Sequence, residues 1–587
     1  MRSLLFLTLL PFVLPSQIPL QRSFSSSKGS LITPKIDAYI MSQIGQWNSS
    51  GLAVAVVRQD VSVAGGWSVE FGSYGVARAD GSFVTPDTLF AIASDSKLFL
   101  AMAVGLLIKN ESLTQNRGSA LRWDTKIKTL LPEWGLLDED MQNGVTIQDM
   151  LSHRTGMPRH DYSGYAREGG VSEMISTLRF LRPSADLREQ YQYNNLMYET
   201  LSHLPPTILN QTFESYIAEH IFSPLAMTAS TYSVSEAEES RKLAHGFHWS
   251  MRDMLVGSNG TLTATVPYFQ RPGEEKIWAG AAGILSSVRD LSAWVAMLLN
   301  KGRHPVTNET VIPEDVVEHV ALGESVSLKK AEYPETSPKV YGCGQNRFSY
   351  QGHEIIEHGG SNPGFKTIVS RLTNDNLGIV VLSNDDNGVR VMEPVKFKII
   401  DELLGLEPVD WAQRYADSIA KGIRENQAVT PRPSPPTPPM SSFAEMEGTF
   451  AHPAYGSIKP CYVRSQSSGL TPDCTEVIRH PVVQDILNAS AGAIPTFIVP
   501  FKRTFSTYLR LAHFSGDIFN ASLIWSNSDV RRAEGHAQGT DVLVGLDNRY
   551  VVEWVAGDSH VVDGFAFKGD FWGKEGDASA EVWFGRI

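Results

Sequence analysis

The sequence predicts an α+β protein in which an antiparallel sheet is flanked by helices, with a smaller all-β, barrel-like unit after it. Three observations carry this reading. Strand-like runs stand at both ends of the stretch before residue 409, with helical material between them. A proline-dense run, PRPSPPTPP at 431–439, interrupts the chain, and its lack of donors forbids helix or sheet and favours an extended spacer. Beyond it come short aromatic and β-branched runs separated by Gly, Asp, Asn and Ser clusters.

The elements follow in order. Met1-Arg2-Ser3 and the apolar LLFLTLLPFVLP read as a secretory signal over 1–20, too short and proline-broken to span a bilayer comfortably. GLAVAVVRQD (51–60) and GGWSVEFGSYGVARAD (65–80) read as paired strands, and SKLFLAMAVGLLIKN (96–110) as a buried helix. FKTIVSRL and LGIVVLSN read as strands joined by TNDN, and a helical pattern runs from Val389 to Leu406. The expected organisation is a catalytic unit over 33–408, a helical segment and linker over 409–440, and a β-barrel unit over 441–587 in which TYLRLAHF, ASLIW, DVLVGL and YVVEWV are separate strands.

Composition excludes several classes. The formal net charge is −13, which argues against nucleic acid as a partner, because that affinity rests on Lys and Arg neutralising phosphates. Three cysteines cannot make a disulfide scaffold, although Cys461 and Cys474 are close enough in sequence to pair across a hairpin. Cys343 would then be free, and a small buried hydrophobe is its expected role. Asn-x-Ser/Thr acceptors stand at Asn48, Asn110, Asn210, Asn259, Asn308, Asn488 and Asn520, which together with the signal-like start point to a secreted, extracellular glycoprotein. No His-Glu-x-x-His helix or Cys/His cluster at ligand spacing occurs, so neither metal nor cofactor is expected.

The chemistry is concentrated in three motifs. Ser94-Asp95-Ser96-Lys97 opens the apolar helix, and helical spacing puts Lys97 on the same face as the Ser94 hydroxyl. The same four-residue pattern recurs at Ser25, Ser327 and Ser418, but only Ser94 precedes a long apolar helix. Downstream stand Tyr193-Asn194-Asn195 and His358-Gly359-Gly360. A tyrosine with a reference pKa of about 10 acts as a base only where cations favour its phenolate, and Lys97 is the expected cation. Asn195 can donate to a substrate carbonyl and accept from Lys97, while Gly359 and Gly360 let a strand edge approach the acyl group and His358 lines the opposite wall.

Ser-x-x-Lys, Tyr-x-Asn and His-x-Gly in this order resemble class C β-lactamases, D-alanyl-D-alanine carboxypeptidases, esterases of the same fold and fungal transesterases. FAIASDSK, MLSHRTGMPRHD, AGAAGILSSVRDLSAW and HGGSNPGF extend the resemblance over about residues 33–408. It implies the β-lactamase/transpeptidase-like fold and an acyl-enzyme on Ser94, with Tyr193, assisted by Lys97, moving the proton and the backbone N–H groups of Ser94 and Ser361 forming the oxyanion hole. EGTFAHPAYGSIKPCYV is similar to the lipocalin-like C-terminal domains of some relatives, where a rigid cover or packing partner is the plainer role and ligand binding the alternative. His153 is expected to be structural, and His160 and Asp161 to line the pocket rim.

The resulting expectation is a serine hydrolase of the β-lactamase-related family acting on a small ester, lactone or D-amino-acid peptide, without stable membrane insertion. An acyltransferase or transesterase of fungal secondary-metabolite biosynthesis would use the same residues, and a non-catalytic scaffold would be expected to lose one of them. Many penicillin-recognising relatives carry Lys where this chain has His358; a mostly neutral imidazole holds a substrate carboxylate poorly, which argues against β-lactamase activity.

Overall fold

The computed structural model describes residues 22–23, 30–118, 120–250, 261–265, 277–427, 430–463, 472–480, 483–484, 487, 494–526, 543–557, 561–569 and 580–587. The expected signal segment and the acceptors Asn259 and Asn488 lie outside them. Asn210, Asn308 and Asn520 are exposed, and Asn48 and Asn110 are half-buried.

Among the described residues the first sheet has nine strands: β1 (Arg22–Ser23), β2 (Gly51–Gln59), β3 (Trp67–Gly75), β4 (Ser325–Leu328), β5 (Lys339–Tyr341), β6 (Asn346–Tyr350), β7 (His353–Asn362), β8 (Phe365–Leu372) and β9 (Leu377–Ser383). They lie in the order β1-β3-β2-β9-β8-β7-β6-β5-β4, every pairing antiparallel. The early strands and the late ones meet where β2 joins β9, with Ala55 opposite Val380.

The sheet is a middle layer, which explains why β2 is apolar at nearly every position. Successive side chains of a strand point to opposite faces. Leu52, Val54 and Val56 join Ile36, Ile40 and Ile44 of α1 (Pro34–Trp47) and residues such as Val391 and Ile399 in one cluster. Ala53, Ala55 and Val57 join a second cluster with Phe99 of α2 (Ser96–Lys109) and Trp294 of α4 (Val288–Leu299). The helix α3 (Asn195–Ser202) packs in that same cluster, and α5 (Val389–Leu404) covers the α1 face. Helix α2 is buried on nearly all sides, as its continuous apolar sequence requires.

A further helix, α6 (Trp411–Gln427), precedes the proline-rich run, which is neither helix nor strand. That run lies along the second sheet: Arg432 Nε donates to His513 O (2.9 Å) and Thr437 N to Ser515 Oγ (3.0 Å).

Among the described residues the second sheet also has nine strands: β10 (Phe450–His452), β11 (Gly456–Ile458), β12 (Cys461–Tyr462), β13 (Thr496–Arg503), β14 (Ser506–Ser515), β15 (Ile518–Ser526), β16 (Leu543–Ala556), β17 (Val562–Lys568) and β18 (Val582–Arg586). Their order, β11-β10-β18-β17-β16-β15-β14-β13-β12, begins and ends on strands separated in the chain only by Lys459 and Pro460, so the antiparallel sheet curls into a half-barrel. Rings fill its inside, among them Trp554 and Phe565 (centroids 4.8 Å apart) and Phe584 (5.2 Å from Phe565). These rings belong to the same continuous hydrophobic cluster as α2 and α4.

Two expectations are corrected. DVLVGL and YVVEWV are not separate strands; from Leu543 onward they form the single strand β16, whose surplus residues are absorbed by a register shift opposite Ala521 and Leu523. Cys461 and Cys474 are bonded, but between strand β12 and the helix Pro472–Arg479 rather than across a hairpin. Cys343 is buried and unbonded to another cysteine, its thiol pushed up to about 12 by burial.

Trp294 is 1% exposed and stacks on Phe99 at 4.0 Å between centroids, joining the sheet-covering helix to α2. Trp294→Ala is expected to lower stability by about 3–5 kcal/mol, read as an earlier midpoint in chemical denaturation.

Candidate active site

The strand segment Phe90–Ala91 pairs with Leu285–Ser286 and is stopped by Ala93, whose φ of 49° is left-handed and unusual for a residue with a Cβ. A short 3₁₀ turn over Ala93–Asp95 then leads into α2. This sharp strand-to-helix turn leaves Ser94 half-exposed while Lys97, one turn on, has no exposed surface. Lys97 Nζ lies 3.0 Å from Ser94 Oγ and donates to the Ala281 carbonyl at 2.9 Å.

Burial, and then the nearby Arg159 guanidinium, pull the Lys97 amine down to about 7, against the upward pull of Glu199, Asp161 and Asp95. The Glu199 carboxyl, raised to about 8 by burial, accepts from the N–H groups of Ala281 (2.6 Å) and Gly280 (3.3 Å) and so fixes the turn that presents the Ala281 carbonyl.

Tyr193 and Asn195 stand at the start of α3. Asn194 caps the helix by accepting from Met197 N (3.1 Å) and donates to the carbonyls of Met157 and Pro158. Tyr193 hydrogen-bonds Ser94, and Lys97 Nζ lies 4.8 Å from its ring centroid. Burial raises the Tyr193 phenol well above its ordinary value, although the Ser94 contact and Arg159 oppose this. The expectation is a phenolate favoured by Lys97; instead desolvation outweighs the lowering by Ser94 and Arg159, and the phenol keeps its proton.

Asn195 also departs from expectation. Its Nδ2 donates to Asp161 Oδ1 (3.0 Å), and Asp161 in turn accepts from Arg159 Nε (2.8 Å). Its Oδ1 is buried with no hydrogen-bond partner among the described residues, so the amide does not accept from Lys97. Asp161 takes one of the two N–H donors of the amide.

The remaining wall is β7. Gly360 lies against the turn before Ser94: a Cβ there would come within 2.2 Å of both Ile92 O and Thr367 Oγ1. Gly359 is more open, its nearest neighbour being Thr367 O at 3.4 Å. The Thr367 hydroxyl lies 2.7 Å from Asp95 Oδ2, and burial raises that carboxyl well above the usual range. His358 Nδ1 pairs with Gly359 O (2.8 Å) and Nε2 with the Tyr341 hydroxyl (3.1 Å). Burial and the facing Lys97 push His358 down to about 3, so it is a neutral imidazole 6.2 Å, ring to ring, from Tyr193. Ser361 is exposed on the same strand, opposite Lys366 of β8.

His153 is buried among the rings of Tyr193, Tyr198 and Tyr341, and its Nδ1 accepts from Asn194 N at 3.1 Å. His160 does not line a rim; it is 1% exposed, between the Tyr455 hydroxyl (2.8 Å) and Arg182 O (3.0 Å). Lys366 is held near Asp386, 3.6 Å away.

Sequence reasoning passed over Arg159, Glu199, Ala281 and Tyr341. Glu199 had a signal, since it lies one helical turn after Asn195 on an apolar helix. Arg159 acts from a loop, Ala281 from the one-turn helix Ala279–Ala282 and Tyr341 from β5, all remote in sequence from Ser94. Among the described residues no group of three or more His, Cys, Asp or Glu is disposed to hold a metal ion.

A scan of protein families matches the one described as Beta-lactamase over residues 36–400. Two curated relatives are Unguisins hydrolase ungD of Aspergillus violaceofuscus (strain CBS 115571), 27% identical over 81% of this chain and 80% of that one, and Unguisins hydrolase ungD' of Aspergillus campestris (strain IBT 28561), 29% identical over 70% and 74%. The octameric penicillin-binding protein homologue from Pyrococcus abyssi superimposes with a TM-score of 0.53 at 16% identity, over 91% of this chain and 97% of that one. This last likeness bears on the fold.

The glycine geometry gives a paired test. Gly360→Ala is expected to cost about 1–3 kcal/mol in chemical denaturation, because the backbone carbonyl it meets cannot move aside cheaply, whereas Gly359→Ala leaves the midpoint nearly unchanged.

Proposed function

The chain belongs to the β-lactamase family, and on that premise we propose that it is a secreted serine hydrolase that cleaves an ester or amide through an acyl-enzyme on Ser94. The observation that carries the reading is the Ser94–Lys97 contact: a fully buried amine, brought to about 7, lies 3.0 Å from a half-exposed hydroxyl. Residues 33–408 are the catalytic unit in this reading, and 441–587 the β-barrel unit after the linker.

Unprotonated Lys97 takes the Ser94 proton as Oγ bonds to the carbonyl carbon. The bond to the leaving group then breaks as Tyr193 gives its phenolic proton to the departing oxygen or nitrogen. Lys97 passes the proton it acquired to the Tyr193 oxygen. The backbone N–H groups of Ser94 and Ser361 hold the developing oxyanion. Water then attacks the acyl carbon, its proton passing to the again-neutral Lys97, which returns that proton to Ser94 Oγ as the acid leaves.

Hydrolysis is favoured over acyl transfer because both curated relatives are named as hydrolases of unguisins, and a compound of that kind is the substrate we infer. An acyltransferase would differ only in the acceptor that resolves the acyl-enzyme. β-Lactamase activity is disfavoured, since neutral His358 cannot supply the positive charge that a substrate carboxylate would need. Secretion is proposed from the N-terminal segment and the acceptor asparagines, and N-terminal sequencing of protein from culture medium would find the start beyond the apolar run.

A fluorophosphonate and an activated ester test the chemistry. An adduct on Ser94 in the wild type and none in Ser94→Ala, read by intact mass and peptide mapping, is the expected result; labelling elsewhere or not at all would remove the reading. Because Lys97 accepts a proton only when neutral, acylation is expected to be slow below pH 7 and to rise with a midpoint near the value of about 7 set by its burial. A profile flat across that range would contradict Lys97 as the acceptor.

A further inference from the structure

The hairpin joining β13 to β14 turns at Thr504–Phe505 and grips the first unit at two places, each continuous with a group that touches the Ser94 site. The first grip is Arg503, whose Nε donates to the Tyr162 carbonyl of the first unit (2.9 Å) and whose Nη2 donates, within the second unit, to the Tyr455 carbonyl. Tyr162 follows Asp161, which holds the Asn195 amide, and the Tyr455 hydroxyl pairs with Nδ1 of His160 on the other side of Asp161. His160 itself has a left-handed φ of 48°, a conformation that its surroundings must impose.

The second grip is Thr504. Its hydroxyl accepts from Trp278 Nε1 at 2.8 Å, and the Phe505 ring lies 5.6 Å, centroid to centroid, from the Trp278 ring. Trp278 leads directly into the Ala279–Ala282 turn, whose Ala281 carbonyl receives Lys97 Nζ. Thr504, Trp278, Tyr455 and His160 are each at most 1% exposed. Breaking a contact there leaves a buried donor or acceptor unsatisfied, so the contacts fix backbone positions more firmly than apolar packing would.

We propose that the Arg503–Ser506 turn of the second sheet is a positioning element of the catalytic centre, with Thr504 setting the Ala281 carbonyl against Lys97 and Arg503 setting Asp161 against Asn195. This rests on the acyl-enzyme reading of Ser94. The second sheet is then a working part of the site, although none of its residues need touch the substrate. Misplacement of a supporting group by about 1 Å is enough to cost up to a hundredfold in rate.

The full-length chain tests this with Thr504→Val, Thr504→Ser and the double variant Trp278→Phe/Thr504→Val. Turnover of the activated ester is measured across pH, together with the fluorophosphonate labelling rate. Thr504→Val is expected to lower kcat about tenfold with KM within about twofold. The acidic limb is expected to move to higher pH as Lys97, still facing Arg159, Asp161, Asp95, Glu199, Tyr193, Tyr198, His153 and His358, becomes better hydrated, since burial is the largest cause of its lowered pKa. Thr504→Ser keeps the hydroxyl and is expected to restore both readouts.

The double variant removes donor and acceptor together, so it reports on positioning even if the orphaned indole of Thr504→Val prevents folding. Wild-type kcat and an unmoved limb in a folded Thr504→Val or double variant, with Ser94 still labelled, overturn the positioning role alone. A wild-type chain without an adduct on Ser94 overturns the acyl-enzyme reading and the positioning role with it.

Discussion

Removing one amine from water is the constraint on which the rest of this structure depends. The effective cost of burying a lone ammonium is several kcal/mol, and a chain meets it by pairing the charge or giving up the proton. At Lys97 much of the answer is the second: its pKa falls to about 7 while Ser94 Oγ and the Ala281 carbonyl receive its polar end. The burial is produced by the apolar length of α2, by α4 stacked on it through Phe99 and Trp294, and by a hydrophobic cluster continuous from the first sheet into the half-barrel.

The same dryness sets the character of the whole chamber. His153 and His358 are neutral, and Asp95 and Glu199 are pushed towards their protonated forms. The Arg159–Asp161 ion pair stands beside these groups, its arginine 40% exposed at the side chain. Polar groups in such a chamber work as donors and acceptors of fixed direction more than as charges.

Much of this was legible in the sequence. The runs at 51–60, 96–110 and 365–383 contain their own periodicity and breakers, and they became β2, α2, β8 and β9 within a residue or two. Ser94, Lys97, Tyr193 and His358 were found because motif spacing is local, and the structure brings all four together. Their protonation states were not legible, because desolvation depends on what packs around a group from distant segments: the Tyr193 phenol runs opposite to the expectation for that reason. The destination of the Asn195 amide was hidden likewise, since Asp161 reaches it from 34 residues upstream. In the half-barrel, polar letters at Asp547, Asn548 and Arg549 suggested a break, whereas the sheet accommodates them within one strand.

The meeting of β2 with β9 also bears on how the protein is made. Arg58 pairs opposite Leu377, so the partner of an early strand is synthesised about 320 residues later. At roughly 5–20 residues per second, the edge of the first hairpin waits some 15–60 s for its neighbour. An apolar strand with an unpaired edge is a template for pairing with another chain. During that interval the nascent protein has an incentive to aggregate that the finished one has lost, and a chaperone acting on this polypeptide would be most useful before residue 377 has emerged.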